Sequence, residues 1–268
     1  MTRDEKIFKL GKIITDRKEI LLGLEKMSTD APEYWGIDCG LQYAERRYGK
    51  QVADDCLDLA LKMGKRKPKT FAQLKALSGI EDDAYLETVL EALCQVSLVE
   101  WHFENLDGKN PNHEKRWVLD MFVPGSAEIM VMRPEISPVT PQVADFFERM
   151  TYLPLAGITQ MVPPGGAGIG MHVIPVEKAI PAECESMDIE HLSHWLKKYE
   201  GQIGVGICSC RKQQRIRGEG SGDIEEHWCI GVGDFADYCR ETGMGYDVTY
   251  DEAMEILRKA EERGYVHQ

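Results

Sequence analysis

Thr70-Phe71-Ala72-Gln73-Leu74-Lys75-Ala76-Leu77-Ser78-Gly79-Ile80 opens the stretch that decides how the first half of the chain folds. A threonine with glutamine three positions on is a capping box, so a short helix is expected over Phe71–Leu77. Ser78-Gly79-Ile80 then supplies a glycine turn. From Asp83 to Val96 the apolar residues Leu86, Val89, Leu90 and Leu93 recur at the helical interval, which predicts a second, longer helix. Leu98 to Phe103 reads as a strand. Asp107-Gly108-Lys109-Asn110-Pro111-Asn112 is a polar turn, and Arg116 to Phe122 is the return strand. Helix, turn, helix and hairpin in that order is the pattern of a winged helix-turn-helix domain, placed at residues 64–135.

Such a domain invites the reading of a DNA-binding protein, and the charges oppose it. A recognition helix must bring side chains against phosphates and base edges. Between Glu81 and Glu100 the chain carries Glu81, Asp82, Asp83, Glu87, Glu91 and Glu100 and no lysine or arginine. The reading that follows is a packing or protein-docking module. Binding of DNA by Lys65–Lys69 and the hairpin residues Lys109, Lys115 and Arg116 is the minority view.

On the amino-terminal side, residues 1–63 read as helical. Ile7, Leu10, Ile13 and Ile14 form one stripe, continued by Leu21, Leu22 and Leu24. Pro32-Glu33-Tyr34-Trp35-Gly36 breaks this pattern, so 28–40 is expected to be a loop, with a second helix over about 42–63. Pro68 ends it. On the carboxyl side, residues 136–187 are rich in proline and glycine and read as a connector, with an amphipathic piece at Val143, Phe146, Phe147 and Met150. Its stretch Val162–Met171 fails as a dinucleotide fingerprint, because the glycine spacing is wrong and the strand-like residues follow rather than precede it.

Residues 188–268 form the cysteine-bearing part. Helix (Asp188–Tyr199), strand (Ile203–Ile207), a Cys208-Ser209-Cys210 pair, a helix from Asp234 and a capped helix from Thr249 are expected, with Gly264 as the final cap. The fold class is thus α+β, mostly helical, with a winged helix-turn-helix domain followed by a small cysteine-bearing α/β domain.

Chemistry concentrates at Gly206-Ile207-Cys208-Ser209-Cys210-Arg211, with Cys229, expected in a helix-like stretch, and Cys239 downstream. Thiolates bind soft metals, and Gly204, Gly206 and Ser209 permit close approach of backbone to a cluster. Paired knuckles typical of structural zinc are missing, so an iron–sulfur centre leads and zinc is the alternative. Cys208, Cys210, Cys229 and Cys239 are the candidate ligands, with His227 and Cys184 in reserve. Arg211 is the cation placed to offset the negative charge of such a centre, whereas Lys212, Arg215 and Arg217 serve equally well as a solvated helix face. The pair His191 and His194 has no accompanying glutamate and reads as surface. Cys56 and Cys94 sit in apolar helical patterns, as buried thiols do.

The bulk properties agree. With 268 residues, 43% hydrophobic and 29% charged, the chain has the composition of an ordinary globular protein. A formal charge of −13 opposes broad binding to nucleic acid or anionic membranes. No apolar run approaches the roughly 20 residues of a membrane span. The amino terminus lacks a signal peptide's apolar core, and eight sparse cysteines suit a reducing compartment, so a cytoplasmic location is expected.

Four blocks carry a resemblance: Met161–Lys178 (MVPPGGAGIGMHVIPVEK), Gly204–Lys212 (GVGICSCRK), Cys229–Tyr238 (CIGVGDFADY) and Thr249–Gln268 (TYDEAMEILRKAEERGYVHQ). With the winged helix, they resemble the ferredoxin-like 4Fe-4S proteins of anaerobic bacteria that accompany, or are fused to, flavin-dependent pyridine-nucleotide oxidoreductases. The resemblance implies an electron-transfer role with a [4Fe-4S] cluster, in which Cys208, Cys210 and Cys229 match the family's cysteine positions. It implies a flavin-dependent oxidoreductase or ferredoxin-type partner, with a homodimer as a further option. Family members continue past the Val-His-Gln region into more cysteine-rich sequence. The fourth thiolate is therefore expected from a further segment, from a partner chain or from Cys239. Two other classes stand beside this reading: a redox- or metal-sensing winged-helix regulator, and a zinc-stabilised interaction scaffold. No nucleophile or general-base constellation marks the chain as an enzyme by itself.

Overall fold

The computed structural model of the chain describes residues 1–15, 28–29, 31–105, 108–122, 125–133, 144, 192–220 and 227–263. The expected Leu21–Leu24 stripe, the glycine stretch Val162–Met171 with the rest of the 136–187 connector, the Val143–Met150 piece, Cys184, His191 and the Gly264 cap lie outside the described residues, apart from Ala144. About 60% of the described residues are helical and the strands make two three-stranded antiparallel sheets, so the chain is mixed α/β. Contacts divide it into two units, Met1–Phe147 with Ser209–Ser221, and Glu148–Cys208 with Gly222–Gln268.

The first unit begins with α1 (Arg3–Thr15), α2 (Pro32–Tyr48) and α3 (Lys50–Met63). Ile7, Leu10 and Ile14 of α1 are fully buried, as their helical spacing requires. Helix α2 corrects the expected loop over 28–40. Pro32 occupies the first turn of the helix rather than ending one. A first-turn N–H would have no intrahelical acceptor, and the fixed φ of proline is already helical, so proline suits that position. Tyr34 thereby packs its ring 4.9 Å from Phe8 and donates its hydroxyl hydrogen to Asp4 at 2.8 Å. The break falls instead at Gly49, whose φ of 94° lets the chain turn from α2 into α3.

Next come β1 (Lys69–Thr70), α4 (Phe71–Ser78), α5 (Asp83–Gln95), β2 (Val99–His102) and β3 (Arg116–Leu119). The capping box is formed: Gln73 N–H donates to Thr70 Oγ1 at 3.3 Å, and Thr70 N–H donates to Gln73 Oε1 at 3.0 Å. Thr70→Ala removes the acceptor and leaves an orphan amide, so we expect a loss of about 1 kcal/mol, read as a lower thermal midpoint. Gly79 closes α4 with a left-handed φ of 80°. Asp82 caps α5 by accepting from Ala84 N–H at 3.0 Å. Helix α5 buries Leu86, Val89, Leu90 and Leu93, the four positions its period marks.

The hairpin pairs Trp101 with Trp117 and Glu100 with Val118. Strand β1, too short to leave a sequence pattern, adds to the far edge of β3 through Lys69 and Trp117. Helix α6 (Ser126–Met132) follows the hairpin, and α8 (Ser209–Ile216) packs against it within the same unit.

The second unit contains α7 (Leu192–Lys198), β4 (Ile203–Ile207), β5 (His227–Val232), α9 (Asp234–Thr242), β6 (Gly245–Asp247) and α10 (Tyr250–Glu262). Its sheet has the order β5-β4-β6, antiparallel throughout. Leu196, Ile203, Val205, Val248, Ala253 and Leu257 form its core. The second capping box also forms, with Glu252 N–H donating to Thr249 Oγ1 at 3.2 Å. No helix among the described residues is long and apolar enough to cross a membrane.

Candidate metal centre

Strand β4 reads Ile203-Gly204-Val205-Gly206-Ile207, and all five residues are buried. Side chains alternate across a strand, so the branched residues take one face and the glycines the other. Ile203 and Val205 join the core with α7 and α10. The glycine face receives α9. A Cβ on Gly204 would lie 3.3 Å from Ala236 Cβ, and one on Gly231 would lie 2.7 Å from the Phe235 ring. Gly204, expected to yield space to a cluster, in fact yields it to a helix.

The next row of the sheet is different. Antiparallel pairing aligns Gly245, Gly206 and Cys229 across β6, β4 and β5. Cys229 supplies the one side chain in a row of three. This corrects its expected helix-like setting: Cys229 lies in strand β5, and the helix starts only at Asp234. The register then slips between Gly206 and Ile207, so that Ile207 faces His227 and Trp228 is the extra residue of a bulge. Bulges locally re-aim the chain, and this one stands where β4 delivers Cys208.

Cys208 and Cys229 are both half-buried and interact. Burial, aided by the neighbouring Cys208 sulfur, pushes the Cys229 thiol up to about 11. It is therefore protonated at neutral pH, and binding a soft cation would release that proton.

Cys210 follows two residues later, exposed in the first turn of α8, with Arg211 half-buried beside it. The backbone amides and positive end of a helix's first turn favour negative charge. The rest of α8 departs from a solvated face. Lys212 and Gln213 are buried, and the Gln213 amide donates to the Ala144 carbonyl at 3.1 Å. Arg215 donates to the Gly220 carbonyl at 2.9 Å, which ties down the chain after the helix.

Cys239 is 5% exposed on the packed side of α9, and its carbonyl accepts from Met244 N–H at 2.8 Å. His227 is exposed and lies 5.5 Å from the Tyr246 ring. His194 is exposed against Trp195. Among the described residues, no three His, Cys, Asp or Glu side chains are grouped as a metal site. Cys208 and Cys229, both in the second unit, are soft donors of the kind a thiolate-bound metal takes. Seven of the eight cysteines are described, and none forms a disulfide.

Three acids escaped sequence reading. Burial raises the carboxyls of Glu100, Asp120 and Glu128 above the ordinary range, and pushes Glu128 up to about 7. A lone acid in a half-polar strand looks like a solvent-facing residue, so nothing local gives it away.

Comparison of the chain with protein-family models, with curated proteins and with solved structures yields no match.

Proposed function

We propose that the chain is an electron-transfer protein whose iron–sulfur centre is held by Cys208, Cys210 and Cys229. One observation carries the reading: Cys229 is the single side chain in the Gly245–Gly206–Cys229 row, and the bulge beside it presents Cys208 to the same end of the sheet. Two cysteines at one end of the sheet, one of them in a row with two glycines, suit a bulky thiolate-ligated group better than a close-packed core does. A [4Fe-4S] cluster bound there would supply one-electron exchange. Arg211, next to Cys210 in the sequence, is the cation proposed to offset its negative charge.

The fourth ligand comes from Cys239 or from a donor outside the described residues. The partner is a flavin-dependent oxidoreductase or a ferredoxin-type protein in the cytoplasm. The segment β1–α4–α5–β2–β3 acts as a winged-helix docking module for protein rather than DNA. Support for that comes from α5, which holds Asp83, Glu87 and Glu91 and no basic residue. Glu91 is engaged by the Tyr48 hydroxyl at 2.9 Å and Asp83 by Lys75 at 2.7 Å.

The test is metal analysis of protein purified without oxygen. Iron and acid-labile sulfide in equal amounts, with a broad visible absorption band, are expected. Zinc without sulfide overturns the reading and favours the scaffold.

A further inference from the structure

A cavity of about 610 Å³ opens in the first unit, lined by Phe8, Lys9, Lys12 and Ile13 of α1 and by Lys65 of the link between α3 and β1. That volume falls within the roughly 300–1,000 Å³ of sites that hold small molecules. Its charge runs against that of the chain: three lysines and no acid line it, in a protein of formal charge −13.

Helical spacing creates the lining. Ile7, Leu10 and Ile14 take the face of α1 that turns to the core. Phe8, Lys9, Lys12 and Ile13 fall on the other side, where residues three and four apart are neighbours. Phe8 and Ile13 are nonetheless half-buried, whereas Lys9 and Lys12 are exposed. The second face of α1 is therefore apolar surface framed by ammonium groups.

Both walls are fixed by backbone bonds to the same stretch of chain. Phe122 N–H donates to the Ile14 carbonyl at 2.9 Å and so holds the end of α1. Lys65 pairs with Leu119 in a parallel bridge, and the Leu119 carbonyl accepts from Arg66 N–H at 2.8 Å. Phe8 is backed by the Tyr34 ring, 4.9 Å away.

Other lysines of this unit have carboxylate partners: Lys6 pairs with Asp58, Lys50 with Asp54 at 2.5 Å and Lys75 with Asp83 at 2.7 Å. Among the described residues, Lys9 and Lys12 meet no carboxylate. Glu5, one turn before Lys9, accepts instead from Thr2 N–H at 2.8 Å.

We propose that this cavity binds a small aromatic phosphate, with its phosphate oxygens taken by Lys9, Lys12 and Lys65 and its ring laid against Phe8 and Ile13. Three cations around one space suit a headgroup of about −1.5 to −2 charge, as a phosphate monoester carries, better than a single carboxylate. A flat apolar body matches the aromatic and aliphatic side chains between the lysines. The site is separate from any centre at the cysteines, so Cys208→Ser should leave it intact.

Calorimetric titration of the full-length protein with 1-naphthyl phosphate tests it. Saturable binding is expected, with inorganic phosphate and 1-naphthol each bound at least about tenfold more weakly, since each offers half of the contacts. The double variant Lys9→Gln/Lys12→Gln, changed only at exposed side chains, should lose roughly tenfold in affinity. Lys50→Gln, at another exposed lysine, should bind as wild type does. Absence of binding at millimolar probe overturns the site, and so does undiminished binding by the double variant. Inorganic phosphate or 1-naphthol binding as tightly as the probe overturns it as well, because one half of the lining would then be idle.

Discussion

Cys208→Ser and Cys229→Ser, purified without oxygen, should each lose bound iron and sulfide to background, whereas Cys56→Ser keeps the wild-type content. The difference lies in what each sulfur does. Cys208 and Cys229 are half-buried neighbours at the end of β4 and β5 with only glycine beside them in the Cys229 row. A serine hydroxyl is a hard donor that does not ionise in water, so it replaces thiolate poorly at a soft metal. Cys56 is fully buried in α3, and its thiol donates to the Val89 carbonyl at 3.5 Å. A serine hydroxyl can make that same bond, so the substitution touches packing and leaves metal binding alone. Full iron retention by Cys208→Ser removes the proposed site. Cys239→Ser separates the two sources of the fourth ligand: loss of iron assigns it to α9, and retention assigns it to a donor elsewhere.

Gly125→Ala is the substitution expected to damage the first unit most. Gly125 has a φ of +144°, and a Cβ there would collide with the Met121 carbonyl and come within 3.3 Å of Asp120 Cβ. Backbone cannot yield as a flexible side chain can. Strain of this kind costs about 3 kcal/mol, and the Gly125 bond to Glu128 would be lost with it. Gly79→Ala is the matched control: φ is +80°, and nothing lies within 4 Å of the added carbon. It pays only for the left-handed conformation, on the order of 1 kcal/mol. Urea midpoints compare the two directly. Equal losses would show that the turn before α6 is not tight.

Both capping boxes were legible because each is a contact between residues three apart, written into Thr70–Gln73 and Thr249–Glu252. The strand Ile203–Ile207 and the period of α5 were legible for a similar reason, since alternation and helical spacing report burial along one element. Pro32 was misread because a proline suits the first turn of a helix as well as the end of one, and only the packing of Tyr34 against Phe8 and Asp4 shows which applies. Gly204 was misread because a small residue marks close approach without saying what approaches; the answer, Ala236, lies far along the chain.

The cysteine site divides along the same line. The Cys208-Ser209-Cys210 spacing is local, and so the soft-donor chemistry could be read directly. That Cys229 stands opposite Gly206 depends on the register of β4 against β5 and on a bulge at Trp228, neither of which any short window contains. Glu100 and Asp120 are a sharper case, since each alone reads as an ordinary acid and only burial in the folded hairpin raises them above the usual carboxylate range. Short-range sterics and hydrogen bonds are properties of neighbours in sequence. Proximity between strands, and the shifted acidity and ligand geometry that come with it, arises from burying surfaces that distant segments bring together.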